Sequence, residues 1–230
     1  MSPPKRLAPG LWRWTARHPD WHPGAFGAEV ASFALTAGDE LLLLDPLVPS
    51  GDGDAVAAGQ VLGQLDALAS GAAAVHVLVT IAYHVRSAAL LSERFDARIW
   101  GPPNAASRLA EDACFTPLEP GGDAGPGGVR AFAIGRPRRT ERPLWIPSHD
   151  AVAFGDALVS TPDDELRLWS QDVVDDRRVA WYRDRFVPTL APLRELPARR
   201  VLVTHGAPVL SGGAGALATA LDAEPWYHHG

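Results

Sequence analysis

Leu41 to Leu44 form an unbroken apolar run between a Gly38-Asp39 turn and the dipeptide Asp45-Pro46. A run this short, bounded by turn residues, reads as a strand rather than a helix. Successive strand residues point to opposite faces, so consecutive leucines require cover on both faces. The chain must therefore place material on each side of this strand.

The segments around it supply that material. LWRWTA (11–16) and EVASFALTA (29–37) alternate as half-buried strands do, with RHPDWHPGAFG between them as a loop. Residues 1–10 are proline-rich and read as an extended arm. Over 54–69, Val61, Leu65 and Leu68 fall on one helical face, although Gly59 and Gly63 each weaken the helix by roughly 1 kcal/mol relative to Ala. AVHVLVT (74–80), SAALLSERF (87–95), ARIWGP (97–102) and a helix near 104–111 continue as strand, helix, strand, helix. That series implies right-handed crossovers and parallel pairing. After the loop PGGDAGPGG (120–128), the segments GVRAFAIG, RPLWIP and AVAFGDAL read as an antiparallel meander. A helix at 177–194, kinked at Pro188, precedes a buried strand RRVLVT (199–204) and a small helix near 213–223. The simplest packing is one domain over 1–230, an α/β sandwich with mixed sheets inside and helices outside.

Composition narrows the partners. The net charge of −6 gives no global support for binding nucleic acid or an acidic membrane, and the basic segment GRPRRTER (135–142) is local. A lone Cys114 rules out an internal disulfide and fits a reducing compartment. No apolar run approaches the ~18 residues of a membrane helix, and MSPPKRLAPG lacks the apolar core of a signal peptide. The expectation is a cytoplasmic protein with no nucleic-acid or membrane partner.

Four motifs in order resemble the metallo-β-lactamase superfamily, an αββα sandwich. LLLLDP places Asp45 where that family ends an early strand in Asp. VLVT (77–80) matches the strand feeding the metal-binding loop. AVAFGDAL puts Asp156 at the bridging carboxylate, and VLVTHGAP (201–208) puts His205 at the terminal ligand histidine. The resemblance implies an αββα fold of that type over nearly the whole chain. It implies one or two zinc or iron ions held by a T-H-x-H-x-D-H loop. Laid from Thr80, those ligand positions hold Ile81, Tyr83, Val85 and Arg86. The family's mid-chain histidine falls on Arg136. Catalytic zinc needs about three protein ligands, and arginine is not one. The expectation is therefore no resident metal and no cofactor; a mononuclear site on His84, Asp156 and His205 is conceivable, with His84 one place off the frame.

The candidate catalytic residues are Asp156, His205, Tyr83 and His84. Each has a plainer reading: a turn carboxylate, a strand-end imidazole, an inert loop pair. Arg86 and Arg136 are the candidate substrate-binding residues, through two-pronged hydrogen bonds to an anion, or they neutralise Asp156. Ser148-His149-Asp150 reads as a turn, since triad members come from separate elements. Trp12, Trp14 and Trp21 line a pocket mouth, pack in the core or meet another subunit; a homodimer is left open. Two functions follow. One is metal-independent hydrolysis of an ester, lactone or thioester-like small molecule. The other is a non-catalytic protein binding an anionic small molecule in the former active-site cleft.

Overall fold

Side-chain alternation along the strands assigns every layer. In the computed structural model, which describes residues 2–22, 26–51 and 53–227, the first sheet follows chain order. It contains β1 (Ser2–Ala8), β2 (Leu11–Arg17), β3 (Glu29–Ala37), β4 (Glu40–Leu44), β5 (Ala74–Leu78), β6 (Arg98–Gly101) and β7 (Phe115–Pro117). Pairing is antiparallel from β1 to β4 and parallel from β4 to β7. The parallel half is served by crossover helices α1 (Ala55–Ala69) and α2 (Ala88–Phe95).

The second layer holds β8 (Arg130–Ala131), β9 (Leu144–Ile146), β10 (Ala151–Phe154) and β13 (Arg200–Val203), with β10 and β13 parallel. A smaller sheet of β11 (Leu158–Ser160), β12 (Leu166–Ser170) and β14 (Trp226–Tyr227) continues it. A hydrogen bond from Ser160 N to His205 O ties the two together.

In β4, Leu41 and Leu43 pack with Val61, Leu65 and Leu91 of the helices. Leu42 and Leu44 pack inward with Leu144, Ile146 and Leu202 of the second layer. In β10 and β13, Ala153 and Leu202 face the first sheet, while Val152, Phe154, Val201 and Val203 face the helical layer. That layer holds α3 (Asp176–Trp181), α4 (Ala191–Arg194) and α5 (Gly213–Asp222), with Leu193, Leu217 and Leu221 turned inward. The order is helix, sheet, sheet, helix, as the sequence resemblance implied.

Several elements differ from expectation. The proline-rich arm is the edge strand β1, where prolines remove no hydrogen bond that a neighbour needs. The helix near 104–111 is a 3₁₀ turn over Pro103–Arg108. The helix over 177–194 is interrupted: a π turn at Tyr182–Phe186 and a 3₁₀ turn at Val187–Leu190 separate α3 from α4. Pro188 lacks the N–H that would bond one turn back and its ring crowds that carbonyl, so the ladder widens ahead of it. Trp14 is core, its Nε1 donating to Leu47 O at 2.8 Å. The Ser148-His149-Asp150 stretch, by contrast, is the turn its sequence predicts, with His149 Nε2 at 2.8 Å from Thr36 O. No helix among the described residues is long and apolar enough to cross a membrane.

Candidate functional site

The strands β4, β5, β10 and β13 all end at one rim, and each delivers a residue there. Asp45 follows β4 with a positive φ of 44°. Its buried carboxylate accepts hydrogen bonds from Thr80 N at 2.8 Å and from the Thr80 hydroxyl, and meets His84 Nδ1 at 2.9 Å. Beyond β5 the chain enters a 3₁₀ turn, Ala82–Val85. Residues three apart eclipse in such a turn. Ile81 and His84 consequently both point inward and are buried, while Tyr83 points out at 62% exposure. The Tyr83 ring lies 4.3 Å beneath the Arg108 guanidinium.

Arg86 closes the turn with φ 32° and ψ −109°, a conformation rare for a residue with a side chain. Its Nη1 donates to Asp45 O at 3.2 Å, and its buried Nε has no hydrogen-bond partner.

Asp156 sits in the turn between β10 and β11, and Glu141 fastens that turn. The fully buried Glu141 carboxylate accepts from Gly155 N at 2.9 Å, Asp156 N at 3.1 Å and Ala157 N at 2.8 Å. Gly155 is required here, since a Cβ would stand 2.6 Å from Thr80 Oγ1. Asp156 Oδ1 then lies 3.3 Å from His84 Nε2 and 3.6 Å from His205 Nε2. It accepts no well-formed hydrogen bond. His205 follows β13, and the ring of Phe26 stands edge-on to it at 4.6 Å.

These neighbours drive the two imidazoles apart. Burial and the Arg86 charge push the His84 pKa down, but the carboxylates of Asp45 and Asp156 outweigh them and it ends raised. Burial lowers that of His205, and Asp156 only partly restores it. Burial pushes Asp156 up, yet the two imidazoles hold it well below the usual carboxylate range. Burial and the charge of Asp156 push Glu141 up to about 7, against Arg138 and the amide bonds. Burial and then the Arg86 charge lower His18, at the rim.

Above these groups opens a cleft of about 180 Å³ walled by Trp21, Phe26 and Trp169, with His18 and Tyr83 at its rim. A recess of about 390 Å³ beside Arg178 and Trp181 is roomier. It lacks any comparable meeting of imidazoles and carboxylates, and the chemistry belongs to the smaller cleft.

Of the residues singled out in the sequence, Asp156, His205, His84 and Arg86 meet at this floor. Tyr83 does not: it lines the rim, because the 3₁₀ turn rotates it away from His84. Arg136 is exposed and lines no part of the cleft; two residues on, Arg138 turns inward instead, 7% exposed and 4.4 Å over the Trp169 ring. The two histidines stand directly on Asp156, while Arg86 donates to the Asp45 carbonyl and acts on Asp156 through its charge. Sequence reasoning missed Glu141, whose role depends on a turn distant in sequence, and gave Asp45 only a landmark's role.

No known protein-family model and no curated protein matches this sequence. Solved structures do. The DIM-1 metallo-β-lactamase is similar with a TM-score of 0.64 at 12% identity, over 95% of each chain. A metallo-β-lactamase from Erythrobacter litoralis has a TM-score of 0.61 at 20% identity, over 95% of this chain and 94% of that one. One from Pontibacter korlensis has a TM-score of 0.62 at 11% identity, over 96% and 99%. This chain has the metallo-β-lactamase fold.

The sequence resemblance implies metal ions at this rim, and the donor set does not fit them. Among the described residues, no group of three or more His, Cys, Asp or Glu is placed to hold a metal ion. The Arg86 guanidinium adds a fixed positive charge beside His84.

Proposed function

We propose that the cleft is a hydrolytic site for a small ester, lactone or thioester, working by imidazole acid–base chemistry without a metal ion. The observation that carries this reading is the meeting of two imidazoles on one carboxylate oxygen, Asp156 Oδ1, at the cleft floor. Paired groups whose surroundings push their pKa values apart are the usual arrangement of an acid and a base.

The steps follow from the positions. A water that donates to both Asp156 Oδ1 and His205 Nε2 keeps an oxygen lone pair free for a carbonyl carbon. His205, favoured neutral by burial, takes the water's proton as the oxygen attacks. Charge develops on the carbonyl oxygen near the His84 imidazolium and Arg86, whose positive charges stabilise it. The tetrahedral centre then collapses, the bond to the leaving oxygen or sulfur breaks, and His205 returns the proton to that atom. Asp45 holds His84 protonated and in place through Nδ1. Tyr83 and Arg136 take no part.

A second reading, a binding protein for an anionic small molecule, is favoured by one observation. The buried Arg86 Nε has no partner and stands beside the same cleft. A screen of aryl esters, thioesters and lactones separates the two readings. The hydrolytic reading expects turnover that survives chelation and disappears in both Asp156→Ala and His205→Ala. Binding without turnover by the wild-type protein favours the second reading and ends the first.

A further inference from the structure

A second cavity, of about 310 Å³, adjoins the aromatic cleft and shares His18, Asp20, Tyr83 and Arg86 with it. We propose that this cavity is the subsite for an anionic group of the substrate, and that Arg86 and Arg108 hold it. The inference rests on the cleft being a ligand site, and it specifies the class of ligand: an apolar or aromatic acyl compound carrying a carboxylate or phosphate.

The two cavities differ in chemistry. The first is walled by Trp21, Phe26 and Trp169 and suits a planar apolar group. The second is lined by two guanidinium groups and the hydroxyl-bearing Ser50 and Ser87, with Asp20 as its carboxylate. Among its lining groups two fixed cations face one carboxylate, and Arg108 stands apart from the Asp45 and Asp156 carboxylates that act on Arg86.

The donors are set for an oxyanion. Arg86 stands between the two cavities, held by its bond to Asp45 O, and its Nε is without a partner. The Arg108 guanidinium carbon stands over the Tyr83 ring, 4.3 Å from its centre. A guanidinium held over an aromatic face by cation–π attraction still has N–H groups to offer a carboxylate or phosphate. Tyr83 is thus a shelf for Arg108, which explains an aromatic ring left largely in water at this mouth. The opening of α2 adds to the field: Ser87, at its N-cap, makes no side-chain cap and lines the cavity.

Calorimetric binding of three probes to the full chain at low ionic strength tests this: phenyl phosphate, phenylacetate and the uncharged benzyl alcohol. At least one anion is expected to bind about tenfold more tightly than the alcohol; which one does so identifies the oxyanion. Arg108 is exposed, so Arg108→Ala leaves folding intact. It is expected to remove about tenfold from the affinity for the favoured anion and to leave that for the alcohol unchanged. An anion preference that survives Arg108→Ala, or no preference in the wild type, overturns the proposal. The outcome is separable from the chemistry of the floor. Arg108-dependent anion binding without turnover keeps this subsite and ends the hydrolytic reading. Ester turnover indifferent to Arg108 and to substrate charge does the reverse.

Discussion

Substituting Gln for Glu141 removes one proton equilibrium from the core while keeping most of the side chain's shape. Glu141 is fully buried, and burial together with the charge of Asp156 raises its pKa to about 7 from 4.5. A raised folded-state pKa fixes the sign. The stabilising contribution is complete below the unfolded value and is lost as pH rises through the folded one. Ionising this carboxylate in place therefore costs the fold about 3 kcal/mol in all, with about 2.5 kcal/mol of it falling between about pH 5 and pH 8. The Gln side chain has no such dependence, and ionisations elsewhere cancel when the two proteins are compared. Urea unfolding of both at the two pH values reads the difference directly. The wild type is expected to lose ground to Glu141→Gln by about 2.5 kcal/mol across that interval, on the order of 1 M in the urea midpoint. A gap that stays constant would refute the reasoning. It would mean that the three amide N–H bonds outweigh burial and keep Glu141 ionised even in mild acid.

Other outcomes follow from the same site. Asp45→Ala leaves the Thr80 amide and hydroxyl and the His84 imidazolium without their shared acceptor, and should destabilise the fold by about 3–5 kcal/mol in chemical denaturation. The raised pKa of His84 stabilises the fold fully below 6.5, so wild-type stability relative to His84→Gln should decline as pH rises through the folded value. Ester turnover should rise with pH through an apparent pKa below 6.5, as His205 loses its proton, and fall again above 6.5, as His84 does. Protein purified without chelators should carry no stoichiometric zinc or iron by elemental analysis; a full equivalent lost in Asp156→Ala would contradict this.

The layers were legible because they follow from local patterns. Leu41–Leu44 demanded cover on both faces, and the two inner and outer cores supply it. The strand ends that bring Asp156 and His205 together were legible too, through short motifs in order. What escaped was the rotation of individual side chains in irregular backbone. Counting from Thr80 placed Tyr83 in the site, but a 3₁₀ turn advances roughly 120° per residue, and His84 faces in. The same limit applies at Gly135–Glu141. Alignment by motif drew notice to Arg136, while the inward residues are Arg138 and Glu141. Nothing local marks Glu141, because its three donors lie at 155–157.

The strand β1 pairs with β2 on one side only, and it carries Pro3, Pro4, Lys5 and Arg6 along seven residues. Proline offers no N–H and charges resist stacking, so this border makes a poor template for another chain. The strand behind it is different. β2 reads LWRWTAR, rich in aromatic and β-branched residues, and it owes its concealment to β1. A preparation trimmed by a protease after Ala8 would present that strand bare along its length. Such a fragment should drift into oligomers by edge pairing, so Ser2–Ala8 protects colloidal behaviour as well as completing a sheet.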